Sequence, residues 1–453
     1  MTRAIRWLYL THRYLGIALC VPMLAWCLSG MVMVYVSYPS LKESARLSHL
    51  APIEWNGCCT IANEALPDDA PVPSFQVEML NWRPVLRLRT ATIDLTDGKK
   101  IQGIPARPVA EAFGTVEAIE QIDYDQWTVS GGFDRDRPLY LARLAGPEGR
   151  QVYVSSTTGK AVQVTDRQQR LWNWLGAVPH WFYFTGLRHD VTLWTQIVIW
   201  TSLIGGFLTF TGGWIGIRQL LRAPAGRWSP HKGWKYWHHL PGLIFGLFAL
   251  TWVISGMFSM NPWGTLEGGD SAAERASLHG VELTGAMVKQ ALRDLPHPPG
   301  IVAITAAQFD GALAFLATSA EGRRWRLDGL PSVSLDRAAA LLGAQTAELL
   351  DHEDAYYFAH HHEALRLPVY RLLTEDGRRF YLDPLSGEML ASIHGADRGY
   401  RWIYEAPHRL DFAPWLRERP VRDMVMLTLL AGVTLSFATG LYLAIRWLRR
   451  KLP

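Results

Sequence analysis

The sequence predicts an integral membrane α-helical bundle: four transmembrane helices in two duplicated two-helix halves, with two α+β domains outside the membrane. Three observations lead to this fold class. Four stretches of at least 21 residues carry no charged residue, and about 20 apolar residues are needed to cross a hydrocarbon layer. Two polar regions of domain size separate these stretches. The second half of the 453-residue chain also repeats motifs of the first half.

The charge-free stretches fix the order of the predicted elements. They cover residues 14–36, 191–217, 240–260 and 424–445. The first apolar run is longer than that of a signal peptide, and no small-residue cleavage site follows it, so we expect a retained helix. The predicted segments are helix one with its N-terminal flank (1–36), the first outer domain (37–189), helix two (190–218), a short link (219–237), helix three (238–260), the second outer domain (261–420), and helix four with a basic tail (421–453).

Basic residues next to the apolar stretches predict the orientation, because cytoplasmic flanks are enriched in Lys and Arg. Both termini and the short link are therefore expected in the cytoplasm, and both large polar regions outside it. The net charge of +4 does not indicate a nucleic-acid partner. The residues that set the orientation are Arg3, Arg6, Arg13, Arg218, Arg222, Arg227, Lys232, Lys235, Arg446, Arg449, Arg450 and Lys451.

An internal duplication spans nearly the whole chain. Residues 10–32 align with 236–258 at an offset of 226, which places His238 on His12 and Ser255-Gly256-Met257 on Ser29-Gly30-Met31. At an offset of 228, Pro407-His408 aligns with Pro179-His180. Repeats in membrane proteins commonly place function at the interface between the repeats.

The outer regions show the same small α+β pattern twice. Residues 139–164 and 369–390 alternate apolar and polar side chains around turn-forming residues, which predicts two hairpins. Residues 108–121 and 334–350 have helical periodicity, and the second begins with a Ser/Asp capping signal. We therefore expect a helix packed on an antiparallel sheet in each region.

The repeated histidines indicate two haem sites. Ionisable side chains at membrane depth are costly, and repetition at helix ends favours a functional role over a structural one. Two imidazoles that face each other across a bundle suit the axial positions of a haem iron. We expect His12 with His238 at the inner face and His180 with His408 at the outer face, so that two haems form a relay.

Two neighbouring histidines are alternative ligands. His239 follows His238 directly, and adjacent helix positions point about 100° apart, so only one of them can face a haem. The repeat favours His238, because His239 aligns with Arg13. His189 is a second choice for the outer site. Gly16 and Gly242, four residues after His12 and His238, are expected to make room for the macrocycle.

A histidine cluster in the second outer region is a candidate metal site. His360, His361 and His362 could bind a metal or an incoming iron chelate, but a solvated loop is the more common explanation of such a run. No cysteine accompanies them, which argues against a structural zinc site with thiolate ligands.

These motifs resemble the PepSY-associated transmembrane family, which includes iron-regulated inner-membrane proteins and di-haem siderophore-iron reductases. The similarity lies in HRYLG and CLSGM within residues 12–31, PHWFYFTG at 179–186, WHHLPGLIFG and ISGM within 237–257, and FYLDPLSGEML at 380–390. The resemblance implies PepSY-like domains in the periplasm and two b-type haems with bis-histidine ligation. It also implies an inner-membrane reductase that transfers electrons to a ferric siderophore.

Two further expectations concern partners and the competing function. The short link cannot fold a nucleotide-binding domain, so quinol or a separate cytoplasmic flavin or NAD(P)H protein is the expected electron donor. The alternative is a binding or regulatory protein without redox activity, in which the helices serve as lipid-embedded anchors. That alternative gives the four repeated histidines no role. A permease is disfavoured, because no helix carries a charge or break at mid-membrane.

Overall fold

The computed structural model describes residues 2–359 and 365–451, which form two compact units. The first, here called the helical unit, comprises Met1–Tyr38, Leu171–Gly268 and Gly395–Pro453. The second, the sheet unit, comprises Pro39–Arg170 and Gly269–His394. Each unit therefore takes residues from both halves of the duplication.

Among the described residues, each half of the chain has one long α-helix, then five short α-helices, then a second long α-helix. They are α1 (Arg3–Met33), α2 (Glu43–Leu47), α3 (Ala106–Glu111), α4 (Arg167–Leu175), α5 (Ala177–His180), α6 (Thr185–Arg188), α7 (Val191–Leu220), α8 (Trp234–Phe258), α9 (Ala272–His279), α10 (Gly285–Arg293), α11 (Leu335–Leu342), α12 (Gly395–Tyr400), α13 (Ala406–Arg409) and α14 (Val421–Leu448). A π-helical turn, Arg401–Glu405, joins α12 to α13.

The strands are β1 (Gln76–Leu80), β2 (Arg83–Arg87), β3 (Thr92–Asp94), β4 (Val116–Ile122), β5 (Leu139–Leu144), β6 (Gln151–Ser155), β7 (Ala161–Thr165), β8 (Ile301–Phe309), β9 (Ala312–Ser319), β10 (Arg324–Arg326), β11 (Ala344–Leu350), β12 (Val369–Thr374), β13 (Arg379–Leu382) and β14 (Met389–Ile393).

Four helices of the helical unit are long and apolar enough to cross a membrane, as the sequence predicts. They are α1, α7, α8 and α14, and the shortest has 25 residues. At 1.5 Å per residue even this helix is longer than a hydrocarbon layer of about 30 Å. Helices α1 and α8 each pack against α7 and α14. Helix α1 already begins at Arg3, so it includes the basic N-terminal flank, whose long side chains can extend towards water.

The sheet unit contains the repeated α+β pattern. Helix α3 is followed by the sheet β4-β5-β6-β7, and α11 by the sheet β11-β12-β13-β14. The predicted helices at 108–121 and 334–350 were too long, because each turns into a strand after a few residues. Gly114 and Gly343 have positive φ, which ends a helix, and β4 and β11 follow them.

A third sheet is shared by the two halves of the chain. Its strand order is β10-β9-β8-β1-β2-β3, and the central antiparallel pair joins β1 to β8 with Val77 opposite Ile304. Both of these side chains are fully buried. The sequence predicts two separate outer domains, whereas here each half covers the strand edge that the other half would leave open.

A buried ion-pair network lies beside this shared sheet. The Glu78 carboxylate on β1 is fully buried and accepts hydrogen bonds from Arg46 on α2 and Arg87 on β2. Arg87 also donates to the carbonyl of Thr158, in the turn between β6 and β7. Burial acts to raise the pKa of Glu78, but the charges of Arg46 and Arg87 outweigh it and lower the pKa to about 2. The network thus links the shared sheet to the sheet β4–β7.

This network predicts acid sensitivity of the sheet unit. Because the folded pKa of Glu78 lies below the ordinary value of 4.5, its contribution is fully present above about pH 4.5. It is lost progressively as the pH falls towards about 2. We expect Glu78→Gln to flatten this part of the pH profile, measured as resistance to limited proteolysis between pH 6 and pH 3. A variant profile that keeps the wild-type slope would contradict the assignment.

Candidate functional site

The four repeated histidines form two pairs in the helical unit. The ring centroids of His12 on α1 and His238 on α8 lie 6.4 Å apart. Those of His180 on α5 and His408 on α13 lie 6.2 Å apart. Each pair therefore joins one histidine from each half of the duplication, as the repeat predicts.

The first pair is held through its Nδ1 atoms. Nδ1 of His12 lies 3.2 Å from the carbonyl oxygen of Leu208 on α7, and Nδ1 of His238 lies 3.0 Å from that of Ser436 on α14. Because a carbonyl only accepts, Nδ1 carries the proton in both rings. The hydroxyls of Thr211 and Thr439, which align in the duplication, lie at the same two nitrogens.

The second pair is held in a similar way by serines. Nδ1 of His180 lies 3.1 Å from the hydroxyl of Ser29 and 3.2 Å from the carbonyl oxygen of Trp26 on α1. Nδ1 of His408 lies 3.0 Å from the hydroxyl of Ser255 on α8. That hydroxyl donates to the carbonyl oxygen of Trp252, so its oxygen accepts from the ring. These contacts again place the proton on Nδ1, which leaves the Nε2 lone pair available to a metal.

A glycine borders each of the four rings. A Cβ atom added at Gly212 would lie 2.7 Å from Cε1 of His12, and one at Gly440 would lie 3.1 Å from Cε1 of His238. At Gly30 and Gly256 the corresponding distances to His180 and His408 are 3.4 Å and 3.3 Å. Each glycine directly follows the Ser or Thr at the same ring. A Ser/Thr-Gly dipeptide on a neighbouring helix therefore positions every one of the four histidines.

The ring spacing fits one metal ion between the two imidazoles of each pair. A metal-to-imidazole bond is about 2 Å long, so two imidazoles on opposite sides of one ion have centroids about 6 Å apart. In the described part of the chain, Nε2 of these four histidines makes no hydrogen bond. Both pairs thus combine two rings that are unprotonated at Nε2 with a centroid distance close to the one expected around a single metal ion.

The small number of protein ligands limits the kind of metal centre. Within residues 2–359 and 365–451, no group of three or more His, Cys, Asp or Glu side chains is placed to hold a metal ion. A structural zinc ion needs four such ligands. Two paired imidazoles would instead be enough to hold a haem, whose porphyrin supplies the other ligands of its iron, so the residue types present fit bis-histidine haem.

The two pairs lie far apart along the helices. Gly30, which borders His180, follows His12 by 18 residues on α1, and Gly256, which borders His408, follows His238 by 18 residues on α8. At 1.5 Å per residue, both intervals correspond to about 27 Å. One pair therefore lies towards each end of the four-helix bundle.

The alternative residues lie elsewhere. His239 uses Nε2 in a 2.9 Å contact with the carbonyl oxygen of Gly216, so this ring faces α7 rather than His12. His189 is exposed at the end of α6. A Cβ atom added at Gly16 would lie 3.9 Å from Leu208, and one added at Gly242 would lie 3.3 Å from Ser436, so the room that both glycines are expected to give a macrocycle stays a prediction. His360, His361 and His362 lie outside the described residues.

Sequence reasoning missed the partners of the histidines, although the signal was present. Ser29-Gly30 and Ser255-Gly256 belong to the aligned motif. Their contacts with His180 and His408 were not predicted. Thr211-Gly212 and Thr439-Gly440 align at the offset of 228 as well. Repetition of a hydroxyl-glycine dipeptide in all four long helices was the available clue.

No protein-family model matches this chain, and a search of curated proteins found no similar sequence.

Proposed function

We propose that this chain is an inner-membrane reductase that binds two b-type haems and transfers electrons across the membrane to a periplasmic ferric siderophore. The observation that carries the proposal is the pair of bis-histidine sites, one towards each end of a four-helix bundle. The resemblance of the motifs to PepSY-associated transmembrane proteins supports the same function. The sheet unit would then consist of PepSY-like domains.

The residues of each pair have separate roles in this proposal. His12 and His238 would hold one haem, and His180 and His408 the other, each through Nε2. A b-type haem supplies reversible one-electron chemistry at its iron. The carbonyls and hydroxyls at Nδ1 fix the tautomer and orientation of each ring and raise its basicity, and loss of such a partner typically weakens metal binding 10–100-fold. The bordering glycines leave the rings room to face each other.

The distribution of basic residues gives the proposed relay its direction. With Arg3, Arg6 and the link 219–237 in the cytoplasm, the His12–His238 pair lies at the inner face and the His180–His408 pair at the outer face. Two sites about 27 Å apart along the helices lie near opposite faces of a hydrocarbon layer of about 30 Å, so each haem would exchange electrons with a partner on its own side. Electrons would enter from quinol or from a separate cytoplasmic flavin or NAD(P)H protein.

The acceptor is expected at the His180–His408 pair. Trp181 and Phe184, one and four residues after His180, are exposed at this end of the helical unit. One electron delivered to a ferric chelate converts Fe(III) to Fe(II), and the hard oxygen donors of a siderophore hold Fe(II) less firmly. The released product is Fe(II), which becomes available for iron acquisition.

The test is reduction of a ferric siderophore by purified protein in liposomes. Reductant is supplied on the inner side only, and the ferric hydroxamate and a ferrous-specific chromogenic chelator on the outer side. We expect Fe(II) to form with the wild-type chain and not with a His180→Ala/His408→Ala variant. Haem-free protein with no Fe(II) formation would instead favour the membrane-anchored binding protein.

The glycines beside the histidines give a prediction with a close control. A methyl group at position 212 would overlap the His12 ring, whereas a Cβ at the adjacent Gly213 meets no atom within 4 Å. We therefore expect Gly212→Ala to lower the haem content at the His12–His238 pair and Gly213→Ala to leave it unchanged. The measurement is the haem-to-protein ratio of each purified variant. Equal haem-to-protein ratios in the two variants would show that haem binding does not depend on the present position of the His12 ring.

A further inference from the structure

The most unusual buried charge in the helical unit is Arg188, at the end of α6. Only 9% of this residue is exposed, and its Nε and Nη1 atoms have no hydrogen-bond partner in the described part of the chain. The guanidinium lies over two aromatic rings, 4.3 Å from the centroid of Trp194 and 5.3 Å from that of Tyr183. The guanidinium is therefore packed against aromatic rings, while two of its nitrogen atoms donate no hydrogen bond.

A buried guanidinium without an anion is costly, because the charge has lost its hydration without a compensating partner. Contact with aromatic faces offsets only part of that loss. Asp190, two residues away in sequence, caps α7 by accepting a hydrogen bond from the backbone N–H of Leu193. Arg188 therefore has the properties of a residue whose partner is an oxyanion from outside the polypeptide.

The position of Arg188 connects it with the second histidine pair. Trp194, which lies under the guanidinium, donates a 2.7 Å hydrogen bond to the carbonyl oxygen of Trp181, the residue after His180. Trp181 and Tyr183 are also in ring contact, with centroids 5.1 Å apart. A short chain of packed aromatic side chains thus leads from Arg188 to the His180 segment.

We propose that Arg188 binds a carboxylate of the haem held by His180 and His408. This inference rests on the proposed function. A b-type haem carries two propionate carboxylates at one edge of its ring, and a guanidinium binds a carboxylate with two parallel hydrogen bonds. A lipid phosphate has the same oxyanion chemistry, and the experiment separates the two sources.

The proposal predicts a change in redox equilibrium and in haem retention. A positive charge near the haem favours the reduced iron, which carries one positive charge fewer. In Arg188→Gln the ratio of reduced to oxidised haem at the His180–His408 pair, poised at a fixed potential, should fall about tenfold, which corresponds to ~59 mV for one electron. Haem should also pass from this site to apomyoglobin faster than from the wild type. Arg188→Lys should restore part of the ratio.

The matched control is Arg422→Gln at the start of α14, because the charge of Arg422 is already balanced by Asp423 at 3.0 Å. Phospholipid per chain is measured on the same samples. An unchanged redox ratio in Arg188→Gln, with less phospholipid bound, would overturn the proposal in favour of a lipid phosphate. An unchanged ratio with unchanged phospholipid would overturn it outright. Wild-type protein without haem would instead remove the proposed function, and this inference with it.

Discussion

Replacement of His408 by alanine is expected to lower the haem content of the purified chain from about two to about one. Among the described residues, His408 provides one of the two imidazoles at its proposed site, and an alanine cannot bind iron. His238→Ala should have the same effect at the other pair. The measurement is the haem-to-protein ratio from the reduced pyridine haemochrome spectrum.

Double variants make this prediction sharper. His180→Ala/His408→Ala changes both members of one pair, so it should lose little more haem than either single variant. His12→Ala/His408→Ala changes one member of each pair and should lose nearly all haem. His239→Ala is the matched control, because its Nε2 faces the carbonyl of Gly216, and it should keep about two haems. If His239→Ala lost one haem while His238→Ala kept both, the assignment of ligands would be wrong.

Replacement of Glu78 by alanine is expected to destabilise the sheet unit by about 3–5 kcal/mol, because it leaves the buried guanidinium of Arg87 without its carboxylate and leaves Arg46 with Glu43 alone. Arg46 and Arg87 are 4% and 5% exposed, so water cannot take the place of the carboxylate. The expected result is unfolding of this unit at lower urea concentration, measured by limited proteolysis of the full-length chain. The proposed haems should stay bound to the helical unit at urea concentrations that unfold the sheet unit.

The control for this effect is Glu120→Ala on β4. Glu120 pairs with Arg143, and both side chains are about half exposed. An exposed pair of this kind contributes about 0–1 kcal/mol, so the urea midpoint should hardly move. Equal effects of the two substitutions would show that the network of Glu78 adds no more than a surface ion pair.

Much of the helical unit was predictable from the sequence because its signals are local or repeated. Charge-free length identifies a helix that can cross a membrane, and all four were found. The pairing of His12 with His238 and of His180 with His408 followed from alignment of the two halves. The hydroxyl-glycine partners were not predicted, since the sequence does not indicate which face of one helix meets a side chain on another.

The sheet unit was predicted less well because its features depend on contacts that are distant in sequence. The hairpins were found, but β4 and β11 were assigned to helices since charged and apolar residues in short strands also fit a helical period. The pairing of β1 with β8 joins residues more than 200 positions apart. Glu78 carries no signal of burial in its local sequence, and only the tertiary structure places Arg46 and Arg87 beside it.

The central claim is that each histidine pair holds one haem iron between two imidazoles. The most direct test is the haem-to-protein ratio of the wild-type chain, purified after expression with added haem and determined from its reduced pyridine haemochrome spectrum. The account predicts a ratio of about two, because the duplication provides two equivalent histidine pairs. A ratio of about one would leave one pair without a cofactor and break the relay, and a colourless protein would contradict the redox function altogether.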